Sequence, residues 1–214
     1  IASAFFAPTS VSKVAQMGML PFAACLAIVG LGQTLVIQQG GIDLSVAGAV
    51  SLTVVIVTWG PDRNDDRLMP AVAAAFAAAI ITGLINGFLV TKTKLNSIVA
   101  TLGVNALLYG VMMGLSGGSP RRTTERLSNF ANDKTFGLPH SIYFGIILTI
   151  IVTVLLKRTV FGRRFEAVGA NPRAAHATGL KIIRYPIGAY VCAHILYYAA
   201  GVILGGVISQ PTAY

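Results

Sequence analysis

Residues 32–46 read GQTLVIQQGGIDLSV, and within them one apolar run passes into another through two glycines and an aspartate. A carboxylate between two membrane-length apolar segments needs a physical account. An Asp at the centre of a membrane helix costs about 2.5–3.5 kcal/mol on insertion scales, so ionisable groups at that depth sit at an interface, face a bundle interior or mark a pathway. Asp43 is therefore the residue that the fold must accommodate.

The apolar pattern continues on both sides of this stretch. Of 214 residues, 55% are hydrophobic and 11% charged, and the mean hydropathy is +0.74. These values lie beyond those of a soluble globular domain, and the reading is an all-α, polytopic transmembrane helix bundle. Six apolar spans are predicted, at 19–38, 44–59, 71–90, 98–115, 142–156 and 187–208. Crossing ~30 Å of hydrocarbon takes about 20 residues. The second span reaches only roughly 24 Å at ~1.5 Å per residue, so the turn at 40–43 is expected to lie below the membrane surface.

The net charge of +9 is carried by basic residues scattered over short loops, which argues for a topological role and against nucleic acid. Lys92, Lys94, Lys157, Arg158, Arg163, Arg164, Arg173, Lys181 and Arg184 fall on one side of the spans; Lys13, Arg63, Arg67, Arg121, Arg122, Arg126 and Lys134 fall on the other. The larger group is assigned to the cytoplasm. Asp62, Asp65, Asp66, Glu125 and Asp133 all accompany the smaller group. Cys25 and Cys192 lie within apolar spans, so no disulfide framework is implied. Residues 1–16 lack the pattern of a cleavable signal peptide, and the missing initiator Met suggests further sequence upstream.

Three spans carry glycines four apart: Gly83 with Gly87, Gly110 with Gly114, and Gly201 with Gly205. Such pairs let membrane helices approach closely, and close packing is expected at each. The long loop 161–186 contains a short helix at 172–178, where Asn171 serves as N-cap, Pro172 takes the first helical position and Gly179 closes the end. Seven residues do not hold a helix in water unaided. Ala174, Ala175 and Ala177 offer a low-profile surface for a partner's groove, with Arg163, Arg164 and Arg173 around it; rest on lipid headgroups is the alternative.

The opening stretch, NGFLVTKTKLNSIVATLG from Asn86 and FGRRFEAVGANPRAAHATGL from Phe161 together resemble the permease subunit of bacterial ATP-binding-cassette sugar importers, the ribose, xylose and arabinose group. The resemblance covers nearly the whole chain, which is read as a single permease domain at 1–214. It implies a multi-pass protein of the bacterial inner membrane. The implied partners are a cytoplasmic ATPase, a periplasmic sugar-binding protein and a second permease subunit, identical or different, within membrane lipid. It also implies that 172–178 is the coupling helix of the 161–186 loop, with ATPase coupling falling to Arg163, Arg164, Glu166, Gly169, Asn171, Pro172, Arg173, Ala174, Ala175 and Gly179. Members of that family have about ten spans, so a truncated product or fragment is expected.

No Walker A pattern occurs in the sequence, so ATP is expected to be used by a partner, with no catalytic residue and no cofactor held by this chain. His140, His176 and His194 lack metal-type spacing, and His194 is expected as a hydrogen bonder inside the bundle. A sugar needs hydrogen-bonding side chains along its path, and the intramembrane candidates are Gln33, Thr34, Gln38, Asn86, Asn105 and Tyr109. Each serves equally well as interhelical glue, worth around 0.6 kcal/mol. Asp43 has two readings as well, substrate contact or capping of the second span through the amides near Ser45 and Val46, and capping is preferred. The polar loop 117–141 is expected to join 61–68 in receiving the binding protein. The rival functions are a secondary transporter, which would require carboxylates within its spans where only Asp43 is present, and a non-transporting structural membrane subunit.

Overall fold

A computed structural model describes residues 13–119 and 121–208. The signal-peptide reading of 1–16 falls mostly outside them. In chain order the helices are α1 (Lys13–Gln38), α2 (Val46–Trp59), α3 (Leu68–Thr91, after a 3-10 turn at Asp65–Arg67), α4 (Ser97–Ser116), α5 (Glu125–Asn132), α6 (His140–Arg158), α7 (Val160–Ala170), α8 (Pro172–Ala177) and α9 (Arg184–Ile208). Between α5 and α6, β1 (Lys134–Thr135) pairs antiparallel with β2 (Leu138–Pro139). Among the described residues five helices are long and apolar enough to cross a membrane, and α2 is apolar but shorter. Its 14 residues reach only about 21 Å, less than the sequence suggested. The long spans extend past their apolar limits, because exposed end residues such as Arg184 and Arg158 stay helical while their polar tips turn toward water.

Helix α9 is the axis of the bundle and packs against α1, α2 and α3. Its bulky residues Tyr190, Tyr197 and Tyr198 are buried, and the neighbouring helices make room by being small. Along α3, Ala71, Ala75, Ala79, Gly83 and Gly87 recur every fourth residue and are all buried. A Cβ on Gly83 would stand 2.6 Å from Val191 Cα, and one on Gly87 would stand 2.9 Å from Ile187 Cα. Gly201 and Gly205 likewise face Thr53 and Val57 of α2. Two of the three glycine pairs therefore pack as expected. Gly110 and Gly114 do not, since no described residue lies within 4 Å of a Cβ at either position.

At the end away from the basic loops, α5 is capped by Thr124, whose hydroxyl accepts from the Leu127 amide at 3.3 Å. It packs on Gly206 of α9, whose backbone oxygen accepts from Asn132 Nδ2 at 3.1 Å. The 61–68 and 117–141 segments meet here. Arg121 pairs with Asp62 at 2.7 Å and stacks 3.8 Å from the Trp59 ring, while the Arg126 amide donates to Asp65 Oδ1 at 3.1 Å.

The two glycine classes predict opposite responses to added bulk. Gly83→Leu should lower the thermal midpoint in detergent, reflecting an overpacking cost of about 1–3 kcal/mol or more, whereas Gly110→Leu should leave it unchanged. Equal midpoints for the two variants, measured by fluorescence-detected size exclusion after heating, would contradict this packing.

Candidate functional site

The turn at 39–45 is where the apolar layer meets a chain reversal, and its polar groups find partners on five helices. Helix α1 ends on Gly40, which has φ +76° and whose amide donates to Ile37 O at 2.9 Å. That left-handed conformation favours glycine. Gly41 has a different reason to be small: a Cβ there would stand 2.6 Å from the Tyr190 hydroxyl. Gly32, one step earlier in the motif, faces the Tyr197 ring, 2.5 Å from where its Cβ would be. Both glycines are sockets for α9.

The backbone amides of the turn are taken up by α4. Ile42 N donates to Ser97 Oγ at 3.2 Å, Leu44 N to Thr101 Oγ1 at 2.9 Å, and Gly48 N to Asn105 Oδ1 at 2.8 Å. These three residues lie four apart on α4 and form one polar stripe. Gly48, two residues into α2, is level with Asn105, eight residues into α4, so α2 begins roughly 9 Å inside the end of its neighbour. This recessed start along α4 accounts for the short second span.

Asp43 and His194 are each 0% exposed. Asp43 Oδ1 accepts from the Ser45 amide at 2.9 Å and from the Ser45 hydroxyl at 2.6 Å. Ser45 is itself the residue at the N-cap position, so Asp43 braces the turn from two residues before it rather than occupying the cap. Asn86 Nδ2 of α3 donates to Ser45 Oγ at 2.8 Å. His194 of α9 places Nε2 3.1 Å from the same oxygen and 3.3 Å from Asn86 Nδ2. Its Nδ1 carries a hydrogen, because it lies 2.9 Å from the Tyr190 carbonyl, which can only accept; Asp43 Oδ2 is 3.5 Å from that nitrogen. Gln33 Nε2 completes the set by donating to the Asp43 carbonyl at 2.7 Å.

The candidate pathway residues thus separate. Gln33, Asp43 and Asn86 meet in one buried network, and Asn105 holds the start of α2. Gln38 is half-buried at the end of α1. Thr34 is exposed and bonds its own helix at Gly30 O, 2.8 Å, while Tyr109 is 38% exposed and stands apart. Ser97, Thr101 and the partnership of His194 with Asp43 were missed from sequence. The four-residue spacing of Ser97, Thr101 and Asn105 in an apolar helix was the available signal.

At the basic end, the 161–186 loop contains two helices rather than one. Helix α7 is amphipathic, burying Gly162, Phe165 and Val168, and Phe165 enters the core with Leu35, Leu156 and Leu196. Gly169 sits directly on the backbone oxygen of Gln38, where no side chain fits. Gln39 Nε2 donates to Phe165 O at 2.9 Å. Glu166 pairs with Lys157 at 2.7 Å, and Arg163 and Arg164 point to solvent. Helix α8 has the expected grammar: Asn171 Oδ1 accepts from the Ala174 amide at 3.1 Å, Pro172 is the first residue, and Gly179 has φ +83°. One residue is placed differently from the expected docking surface. Ala175 is 5% exposed and faces its own chain; Arg173, Ala174 and Ala177 face outward.

The network yields a test of role. Asp43→Asn keeps an acceptor for the Ser45 amide and should fold, whereas Asp43→Leu strands buried donors and should destabilise by about 1–3 kcal/mol. His194→Leu should behave like Asp43→Leu. Thermal midpoints in detergent decide, and an Asp43→Leu protein as stable as the parent would remove the bracing role.

A family model described as the branched-chain amino acid transport system / permease component matches residues 17–209. The ribose import permease protein RbsC of Bacillus subtilis (strain 168) is 30% identical over 211 residues, covering 96% of this chain and 65% of that protein. RbsC of Escherichia coli (strain K12) is 32% identical over 194 residues, 87% of this chain and 60% of that protein. The L-arabinose transport system permease protein AraH of the same organism is 29% identical over 211 residues, 95% and 62%. The chain spans 60% to 65% of the length of these relatives. No solved structure matches it. The resemblance to ribose and arabinose permeases read from three motifs is borne out, and with the family model running through α1 to α9 the chain belongs to the transport-system permease component family.

Proposed function

We propose that the chain forms the membrane-spanning part of an ATP-driven monosaccharide importer in a bacterial inner membrane, passing its motion to and from a separate ATPase. The observation that carries this reading is the α7–α8 pair at the basic end. Helix α8 presents Arg173, Ala174 and Ala177 outward, a short helix with small side chains flanked by charge, suited to a groove in a partner. Helix α7 fixes it to the bundle through Phe165 and Gly169. The ribose import permease and the L-arabinose transport system permease among its relatives support a sugar as cargo.

In this reading the basic end is cytoplasmic, as the excess of Lys and Arg favours. ATP is bound and hydrolysed by the partner, and the permease makes and breaks no covalent bond. Closure of the ATPase displaces α8, and rigid spans convert that displacement into alternating exposure of a central path. A periplasmic sugar-binding protein delivers cargo to the opposite end, where the 61–68 and 117–141 segments are joined through Arg121, Asp62 and Asp65. A second permease subunit, identical or different, completes the path. The half-buried Gln33 and the buried Asp43 and Asn86 serve the scaffold, and substrate contact falls to the exposed Thr34 and Tyr109.

Co-purification with the ATPase of a ribose- or arabinose-type importer tests the coupling assignment. Ala174→Arg combined with Ala177→Arg should weaken association at least about tenfold, as loss of a packed anchor does, without lowering the thermal midpoint. Undiminished association would remove α8 from the interface.

A further inference from the structure

A cavity of about 700 Å³ opens at the basic end between the end of α3, helix α8 and the start of α9. Its volume is that of a small-molecule site. Lys92, Lys181 and Arg184 line it, with His176 of α8 beside them. All three cations are exposed, and none is in an ion pair among the described residues.

No carboxylate is placed to neutralise them. Of the seven acidic residues, Asp62, Asp65, Asp66, Glu125 and Asp133 belong to the segments 61–68 and 117–141 at the opposite end, Asp43 is enclosed in the bundle, and Glu166 is paired with Lys157. The rest of the wall is aliphatic, from Leu180, Ile182, Ile183 and Ile187. A free anion accounts for the cations but leaves this apolar wall unexplained. Thr91 ends α3 and Arg184 begins α9, so the cavity lies where two spans leave the apolar layer, the level of lipid headgroups.

We propose that this cavity binds an anionic phospholipid, its phosphate held by Lys92, Lys181 and Arg184 and its acyl chains laid along Ile182, Ile183 and Ile187. Basic recesses between membrane helices suit such headgroups, which attract nearby Lys and Arg electrostatically. The bound lipid braces the connection from α8 to α9, which otherwise rests on backbone bonds such as Gly179 N to His176 O at 2.9 Å and Leu180 N to Ala175 O at 3.3 Å. The inference concerns a ligand of the membrane itself and does not depend on what the protein transports.

Native mass spectrometry of the purified chain, titrated with phosphatidylglycerol, phosphatidylcholine or inorganic phosphate, tests it. Phosphatidylglycerol should bind in preference to phosphatidylcholine, and millimolar phosphate should not displace it. The K181Q/R184Q variant should bind phosphatidylglycerol about 30-fold more weakly, the combined effect of two lost cations near the headgroup. The K94Q/R158Q variant removes the same charge from exposed positions outside the cavity and should bind as the parent does. Equal losses in the two variants would reduce the effect to surface charge. Equal binding of the two lipids, or displacement by phosphate, would also overturn the proposal, the latter in favour of a plain anion site.

Discussion

The fold depends on a chain reversal made inside an apolar layer. In hydrocarbon every backbone N–H and C=O must find a partner within the protein, since no water competes to satisfy it. A turn at 39–45 gives up helical bonds at that depth. The rest of the bundle is arranged around supplying replacements: Ser97, Thr101 and Asn105 of α4 take three amides, Asp43 takes a fourth, and Gln33 donates to the Asp43 carbonyl. Asp43 is tolerated because Ser45, Asn86 and His194 surround it. Charge and turn are two parts of one arrangement.

Satisfying the turn also fixes the helices that do so. Asn86 belongs to α3 and His194 to α9, and both converge on the hydroxyl of Ser45. The same α9 inserts Tyr190 and Tyr197 into spaces left by Gly41 and Gly32. Polar bonds set the depth of the turn, and ring packing sets how closely α9 approaches it. Neither would be sufficient alone, because helices in lipid gain no hydrophobic free energy by meeting and depend on fit and hydrogen bonds.

Much of this was legible in sequence, and the limits have physical causes. Hydropathy located every span, because the bilayer sets a minimum length that composition must meet. It also identified α2 as short. The caps of α8 were readable because Asn171, Pro172 and Gly179 act locally. Helix α7 was not, since Gly162 and Gly169 look like breakers until Gly169 is seen resting on the Gln38 carbonyl. Residue 194 could not be brought beside residue 43 by any local pattern. The Gly110 and Gly114 pair has the same spacing as Gly83 and Gly87 but faces open space; spacing describes one helix, and packing requires two.

Helix α7 changes what the loop can do. A six-residue α8 on a flexible loop could move under a partner without moving anything else. Here it follows α7 with one residue, Asn171, between them, and that residue caps α8 while its amide bonds Ala167 O of α7 at 3.1 Å. Helix α7 in turn touches the bundle where α1 ends, through Gly169 on Gln38 and through Gln39 on Phe165. Its Phe161 ring lies 6.0 Å from Tyr185 at the start of α9. Helix α8 is thereby joined to both the turn and the central helix through packed, hydrogen-bonded contacts. Helices α1 and α9 also share the Asp43 network, α1 through Gln33 and α9 through His194. Gly169 is the residue on which this depends most, because any side chain there would separate α7 from the turn.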